Sequence, residues 1–229
     1  MKTLCIIQHT SAEYLGLIED HLEARGIRFA YFRPFTQGGV LPHRDMLGDG
    51  LVFLGGGPWG SAGTRDVPGL KDEIALARAG LMLEKPVIGF GLGAQILTLA
   101  ADGKTAVRPL RLEVGSATRV TPDALGGRLP ERFTQAIYMR DHALPPSYAE
   151  VLARDSNGDM AVFQIGKRAF GFAGNPGFKP AIAEDLVMEF EEAPADCAGG
   201  LQALREHKRD IEDALVPIMA GLIAATGLM

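Results

Sequence analysis

Apolar residues along this chain come in two alternating patterns. Short continuous runs are followed by stretches in which apolar residues recur every three to four positions. Residues 3–7, Thr-Leu-Cys-Ile-Ile, form the first run and predict a buried strand, with a loop over 8–11. Residues 13–25 carry Leu15, Ile18 and Leu22 at helical spacing, and Gly26 follows as a stop signal. Residues 27–32 predict a second strand and 51–54 a third, which runs into Gly55-Gly56-Gly57-Pro58. Residues 70–79 predict a helix, 86–90 a fourth strand, and 94–101 a helix directly after it. Buried strands alternating with amphipathic helices predict an α/β fold, a mostly parallel sheet with helices on both faces.

The pattern changes in the second half. Residues 110–120 and 136–139 predict strands, and 150–154, 161–165 and 169–173 predict three more with short turns between them. One of those turns contains Asn157-Gly158, a strong hairpin signal. Residues 201–223 predict a helix that is amphipathic at first and then more apolar. No internal repeat or low-complexity tract interrupts the chain. The Gly/Pro-rich loops at 36–49 and 55–68 each have strand-like segments on both sides, so neither reads as a linker, and a single domain over 1–229 is expected.

The most informative segment is Gly89-Phe90-Gly91-Leu92-Gly93-Ala94-Gln95, at a predicted strand-to-helix turn. A Gly-x-nucleophile-x-Gly turn of this kind lifts its middle residue above the sheet in a strained conformation. Here the middle residue is Gly91. The surrounding residues resemble the class I glutamine amidotransferases, which read Gly-x-Cys-Leu-Gly-x-Gln at this place. The resemblance extends over roughly 170 residues. His9, Glu13 and Gly16 look like that family's first loop. Gly55-Gly56-Gly57-Pro58 looks like the loop that donates a backbone N–H to the oxyanion hole. Glu113-Val114-Gly115 is similar to an element that helps hold glutamine, and Leu144-Pro145 and Leu152-Ala153-Arg154 match the later strand region.

The resemblance implies a flavodoxin-like class I glutamine amidotransferase fold. It also implies a triad of cysteine, histidine and glutamate, and this chain departs from it at all three positions. Gly91 stands for the cysteine. In Gly174-Asn175-Pro176-Gly177, Asn175 stands for the histidine and Gly177 for the glutamate. Glutaminase chemistry needs a thiolate, a base to generate it and donors for the tetrahedral oxyanion. Glycine supplies no nucleophile, and asparagine has no titratable group to serve as base. The backbone at Gly56, Gly57 and Leu92 needs no side chains and predicts a surviving anion-binding nest.

The expected pocket gathers Gly56, Gly57, Trp59, Leu92, Gln95, His9, Asp141 and His142. Several members have bland alternatives. His9 reads as a loop-capping histidine or a ligand contact, Trp59 as packing or a pocket wall, and the Asp141-His142 pair as loop packing or surviving chemistry. Cys5 falls in an apolar strand and reads as core, whereas Cys197 reads as a loop residue. No His, Cys and carboxylate spacing suggests a metal, and no cofactor is expected.

Composition adds exclusions. With 23 Lys and Arg against 28 Asp and Glu, the net charge is −5, and no basic block is present to track a phosphate backbone. The opening residues lack a signal peptide's long apolar core, and no apolar run reaches the about 18–20 residues that span a bilayer. Two cysteines do not make a disulfide framework, so a reduced, cytoplasmic setting is expected.

Three functions are therefore carried forward. The first is a pseudoenzyme that binds a small glutamine-like or carboxylate ligand, or a partner protein. The second is an enzyme with non-cysteine chemistry in the same crevice, using His142, Asp141 or His9. The third is a subunit kept for assembly with a synthetase.

Overall fold

In the computed structural model, which describes residues 1–228, the first half of the chain builds the sheet that the apolar runs predict. The elements in order are β1 (Thr3–Ile7), α1 (Ile18–Glu23), β2 (Arg28–Phe32), β3 (Gly50–Phe53), α2 (Leu70–Met82), β4 (Val87–Phe90) and α3 (Leu92–Ala100). Then come β5 (Lys104–Ala106), β6 (Arg111–Arg119), β7 (Arg132–Met139), β8 (His142–Leu144), β9 (Glu150–Asp155), β10 (Met160–Ile165), β11 (Ala169–Phe172), α4 (Pro180–Glu189), α5 (Cys197–Glu206) and α6 (Lys208–Thr226).

A nine-stranded sheet has the order β2-β1-β3-β4-β11-β10-β9-β6-β7, and β5 pairs with β8 in a separate ribbon. The strands β2, β1, β3, β4 and β11 are mutually parallel. The remaining pairings, β11-β10-β9-β6-β7, are antiparallel. Antiparallel neighbours need only tight turns, and Asn157-Gly158 lies between β9 and β10 as its hairpin signal predicts.

Alternation along the parallel strands sends side chains to opposite faces. Leu4 and Ile6 of β1 join Ile18 and Leu22 of α1 and Leu215, Ile218 and Leu222 of α6 on one side. Cys5 and Ile7 face the other side with Leu76 and Ala77 of α2 and Ile96 and Leu97 of α3. Cys5 is thus core. Among the described residues no helix is long and apolar enough to cross a membrane.

Three elements depart from the periodicity. Residues 13–17 read as helix but form a loop, because Glu13 is drawn inward, Leu15 N–H donates to the Tyr31 hydroxyl at 3.0 Å, and Gly16 takes a φ of 64°. The predicted helix over 201–223 is two helices that meet at His207, within the charged stretch Arg205-Glu206-His207-Lys208-Arg209. Cys197 is the first residue of α5 rather than part of a loop; the Asp196 carboxylate caps that helix through Gly199 N–H at 3.1 Å.

Candidate functional site

The sheet brings β4 into α3 through a one-residue turn at Gly91, with φ 54° and ψ −113°. The flanking glycines are dictated by contact. A Cβ on Gly89 would overlap the Gly93 carbonyl, and one on Gly93 would overlap the Phe53 carbonyl. Gly91 differs. A Cβ there would meet Gly55 Cα at 3.6 Å, Met139 Cβ at 3.9 Å and Tyr138 O at 4.0 Å, all ordinary contacts. Only the positive φ opposes a side chain, a strain of about 1–3 kcal/mol. The elbow therefore has its full bend and room for a side chain, but no nucleophile.

Beside it lies a cavity of about 10 Å³ lined by Gly91, Ala94, Met139, His142, Ala143, Met160, Phe163 and Ala173. That is room for about one water and not for an amino acid. The N–H groups of Gly56 and Leu92 are buried and, among the described residues, donate to no protein acceptor. Buried unpaired donors are costly, so a pair of them at a bend marks a place for an acceptor.

The third member of the expected nest is different. Gly57 N–H donates to the Glu13 carboxylate at 3.1 Å, so the protein supplies its own anion at that donor. Burial pushes the Glu13 carboxyl up to about 7, against the opposing pull of the Gly57 N–H and of His9. A carboxyl that holds its proton more tightly in the folded state adds stability in acid and loses it as pH rises from its ordinary 4.5 toward 7. Glu13→Gln keeps a carbonyl to accept from Gly57 and removes the ionisation. It is expected to be about 1–3 kcal/mol more stable than the native chain at pH 8 and equally stable at pH 4.5. Urea denaturation at both pH values checks this.

His9 holds the same loop from the other side. Its Nδ1–H donates to Gly55 O at 3.0 Å, and Nε2 lies 2.7 Å from the Glu73 carboxylate, with both side chains fully buried. Burial opposes charge on the ring, but the Glu73 carboxylate and its hydrogen bond outweigh it and hold the imidazole above its usual value. Of the two readings of His9, these contacts fit the loop-capping one. Both ring nitrogens are engaged, and the residue positions the Gly55-Gly56-Gly57 loop.

Two other expected pocket members are likewise engaged. Gln95 Nε2 donates to Arg140 O at 2.7 Å and its Oε1 accepts from the Ser61 hydroxyl at 2.6 Å. Asp141, wholly buried and at a φ of 61°, accepts from the N–H groups of Ser61, Ala62 and Arg108 at 2.9, 3.0 and 3.3 Å. Both of its carboxylate oxygens are thus engaged by backbone. His142 is buried, lines the small cavity, and lies 3.6 Å from Asp159; burial, outweighing that carboxylate, holds its ring below the usual value and so neutral. Glu113 is exposed on β6 and pairs with Arg111 at 3.3 Å, and the position of Gly115 is open.

The loop after β11 carries Asn175 and Gly177. Asn175 is 4% exposed; its Oδ1 accepts from Gly177 N–H at 2.9 Å, while Nδ2 is buried without an acceptor among the described residues. Gly177 is pressed against the first loop. Its carbonyl accepts from Leu17 N–H at 3.1 Å, and a Cβ would come to 2.7 Å from both Leu15 O and Ile18 Cγ1.

Trp59 is partly buried against the core, and its backbone N–H donates to Gly56 O at 2.9 Å. Its ring meets Phe190 edge-on at 6.4 Å, with the Arg65 guanidinium 4.9 Å above it. Arg65 and Arg140 both pair with Glu192. Sequence reasoning missed this cluster, as it missed Glu13 as an internal anion. No local signal marks Glu192, which is separated from Arg65 by 127 positions. Glu13 carried a signal in its spacing from His9.

Comparison with known proteins gives the family context. No family model matches the chain. The chain is 33% identical over 168 residues to a glutamine-hydrolysing GMP synthase of Aeropyrum pernix; the match takes in 68% of this chain but only 30% of that protein. A glutamine amidotransferase from Methylobacillus flagellatus superposes with a TM-score of 0.81 at 21% identity, covering 99% of this chain and 96% of its own. One from Thermotoga maritima gives 0.79 at 20% identity, with 98% of each chain covered. These solved structures share the α/β architecture described above. The sequence relationship and the shared fold together place this chain in the class I glutamine amidotransferase-like family.

Proposed function

We propose that this chain is a glutamine amidotransferase-like protein that does not hydrolyse glutamine and keeps the crevice at its elbow for binding. The observation that carries this reading is Gly91: the strained turn, φ 54° and ψ −113°, is intact and holds no thiol. Asn175 adds no base, because its Oδ1 is committed to Gly177 N–H and an amide does not titrate. Gly177 has no carboxylate with which to orient a base. With nucleophile, base and orienting group all lacking, no covalent acyl-enzyme route remains. The free N–H groups of Gly56 and Leu92 still suit a carbonyl or carboxylate oxygen.

In this reading Gly56, Leu92, Trp59 and the rim around them form the ligand site, and His9, Gln95 and Asp141 hold it in shape. The ligand is a small glutamine-like or carboxylate compound. Reduced thiols at Cys5 and Cys197 suit a cytoplasmic setting. The test is calorimetric titration of L-glutamine into the native chain. Binding with no release of ammonia is expected; absence of any heat with glutamine and related carboxylates removes the ligand.

A second reading is assembly with a synthetase. It is favoured by the match to a glutamine-hydrolysing GMP synthase, of which this chain covers 30%. Capture of a defined synthetase by the purified chain is its test. A third reading, chemistry through His142, draws on that ring's place beside Gly91, and ammonia-independent turnover lost in His142→Ala would favour it.

A further inference from the structure

Beyond α4, residues 190–192 run without regular structure past Trp59 and Gly57. Three ties hold this strap down. The Glu189 carboxylate accepts the N–H groups of Ser11 and Ala12, both at 2.9 Å. Phe190 lies against Trp59 and over Gly57, where a Cβ would come to 3.1 Å from Phe190 Cε2. The Glu192 carboxylate bridges the guanidiniums of Arg65 and Arg140.

The two arginines are held independently of Glu192. Arg140 Nε donates to Pro58 O at 2.9 Å and its side chain is only 14% exposed. Arg65 lies over the Trp59 ring. The neighbouring Asp141 carboxylate is turned to three backbone N–H groups, and the ion pairs of both arginines go to Glu192. If Glu192 left, both guanidiniums would remain in place. Glu192 is itself 37% exposed, so its ion pairs are of the partly solvated kind that an external anion can displace. Planar guanidiniums suit a carboxylate in two-pronged geometry.

We propose that Arg65 and Arg140 form a receiving site for the carboxylate of an incoming ligand, and that Glu192 occupies it as an internal stand-in. The strap over 190–192 is then a displaceable cap on the crevice. This deepens the binding reading given above and rests on it for the ligand, but the motion of the cap does not.

The probe is glutarate, and the reporter is Trp59, the single tryptophan of the chain. Glu192→Gln keeps the shape and removes the charge. Acrylamide quenching of Trp59, without ligand, is expected to rise at least twofold in Glu192→Gln. Glutarate is expected to bind that variant about 5–10-fold more tightly than the native chain, because the competing internal state is removed. The added change Arg140→Gln should abolish the gain. Equal quenching in native and variant chains overturns the cap, whatever the crevice binds. Equal glutarate affinity, or none in either protein, overturns the receiving site. Ammonia release from glutamine bears only on the earlier reading and leaves both results interpretable.

Discussion

Gly177→Glu is expected to destabilise the fold by roughly 3 kcal/mol or more, read as a shift in the urea midpoint without a change in slope. The position has no room. A Cβ would stand 2.7 Å from Leu15 O and 2.7 Å from Ile18 Cγ1, and one of those atoms is backbone. Leu17 N–H is bonded to the Gly177 carbonyl, so the two loops cannot separate without losing that bond. The substitution also forces a carboxylate into a buried contact, which adds desolvation to the overlap. Gly91→Cys makes the contrast. It meets only ordinary contacts, and its cost is limited to about 1–3 kcal/mol of backbone strain. A chain carrying Gly91→Cys, Asn175→His and Gly177→Glu together is therefore a poor test of the pocket, because the third change disturbs the fold before it can contribute chemistry.

His9→Ala is expected to have the largest effect of any change near the site, about 3–5 kcal/mol. The His9 and Glu73 side chains are fully buried, 2.7 Å apart, and Glu73 Oε1 already lacks a partner among the described residues. Removing the ring leaves a buried carboxylate with nothing to balance it and frees the Gly55 carbonyl. The native pair also sets a pH dependence. His9 is held above its usual value, so its contribution is complete in acid and is lost as pH rises through the folded-state value. That is the same direction as Glu13, so the native chain is expected to be less stable at pH 8 than at pH 5. His9→Ala should flatten the part of the profile that Glu13→Gln leaves. Urea denaturation of the three proteins across that range measures both contributions.

The elbow was legible in the sequence because glycine spacing at a strand-to-helix turn reflects backbone contact, and Gly89 and Gly93 are indeed packed against carbonyls. The parallel half of the sheet was legible for a similar reason: strands buried on both faces leave unbroken apolar runs. The loop at 13–17 was not, because Leu15, Ile18 and Leu22 keep helical spacing whether or not Glu13 turns inward. Helix α4, over Pro180–Glu189, escaped notice although Pro180 is a good opening residue, since Ile182, Ala183 and Leu186 give only a short stripe. Polar pocket members were named by motif, and motif cannot tell a group that meets a ligand from one that holds the loop that does. His9, Gln95 and Asp141 have the required residue types, yet their polar atoms are engaged within the protein. Contacts across long sequence distances, such as Glu192 to Arg65 and Arg140, leave no local trace at all.

The central claim is that an intact elbow without a nucleophile does not turn over glutamine. The most direct measurement is ammonia release from L-glutamine by the purified native chain, followed through glutamate dehydrogenase and compared with a blank lacking the chain. The account predicts a rate equal to the blank at every protein concentration. Ammonia released in proportion to the native chain would contradict it, and would require a nucleophile other than residue 91.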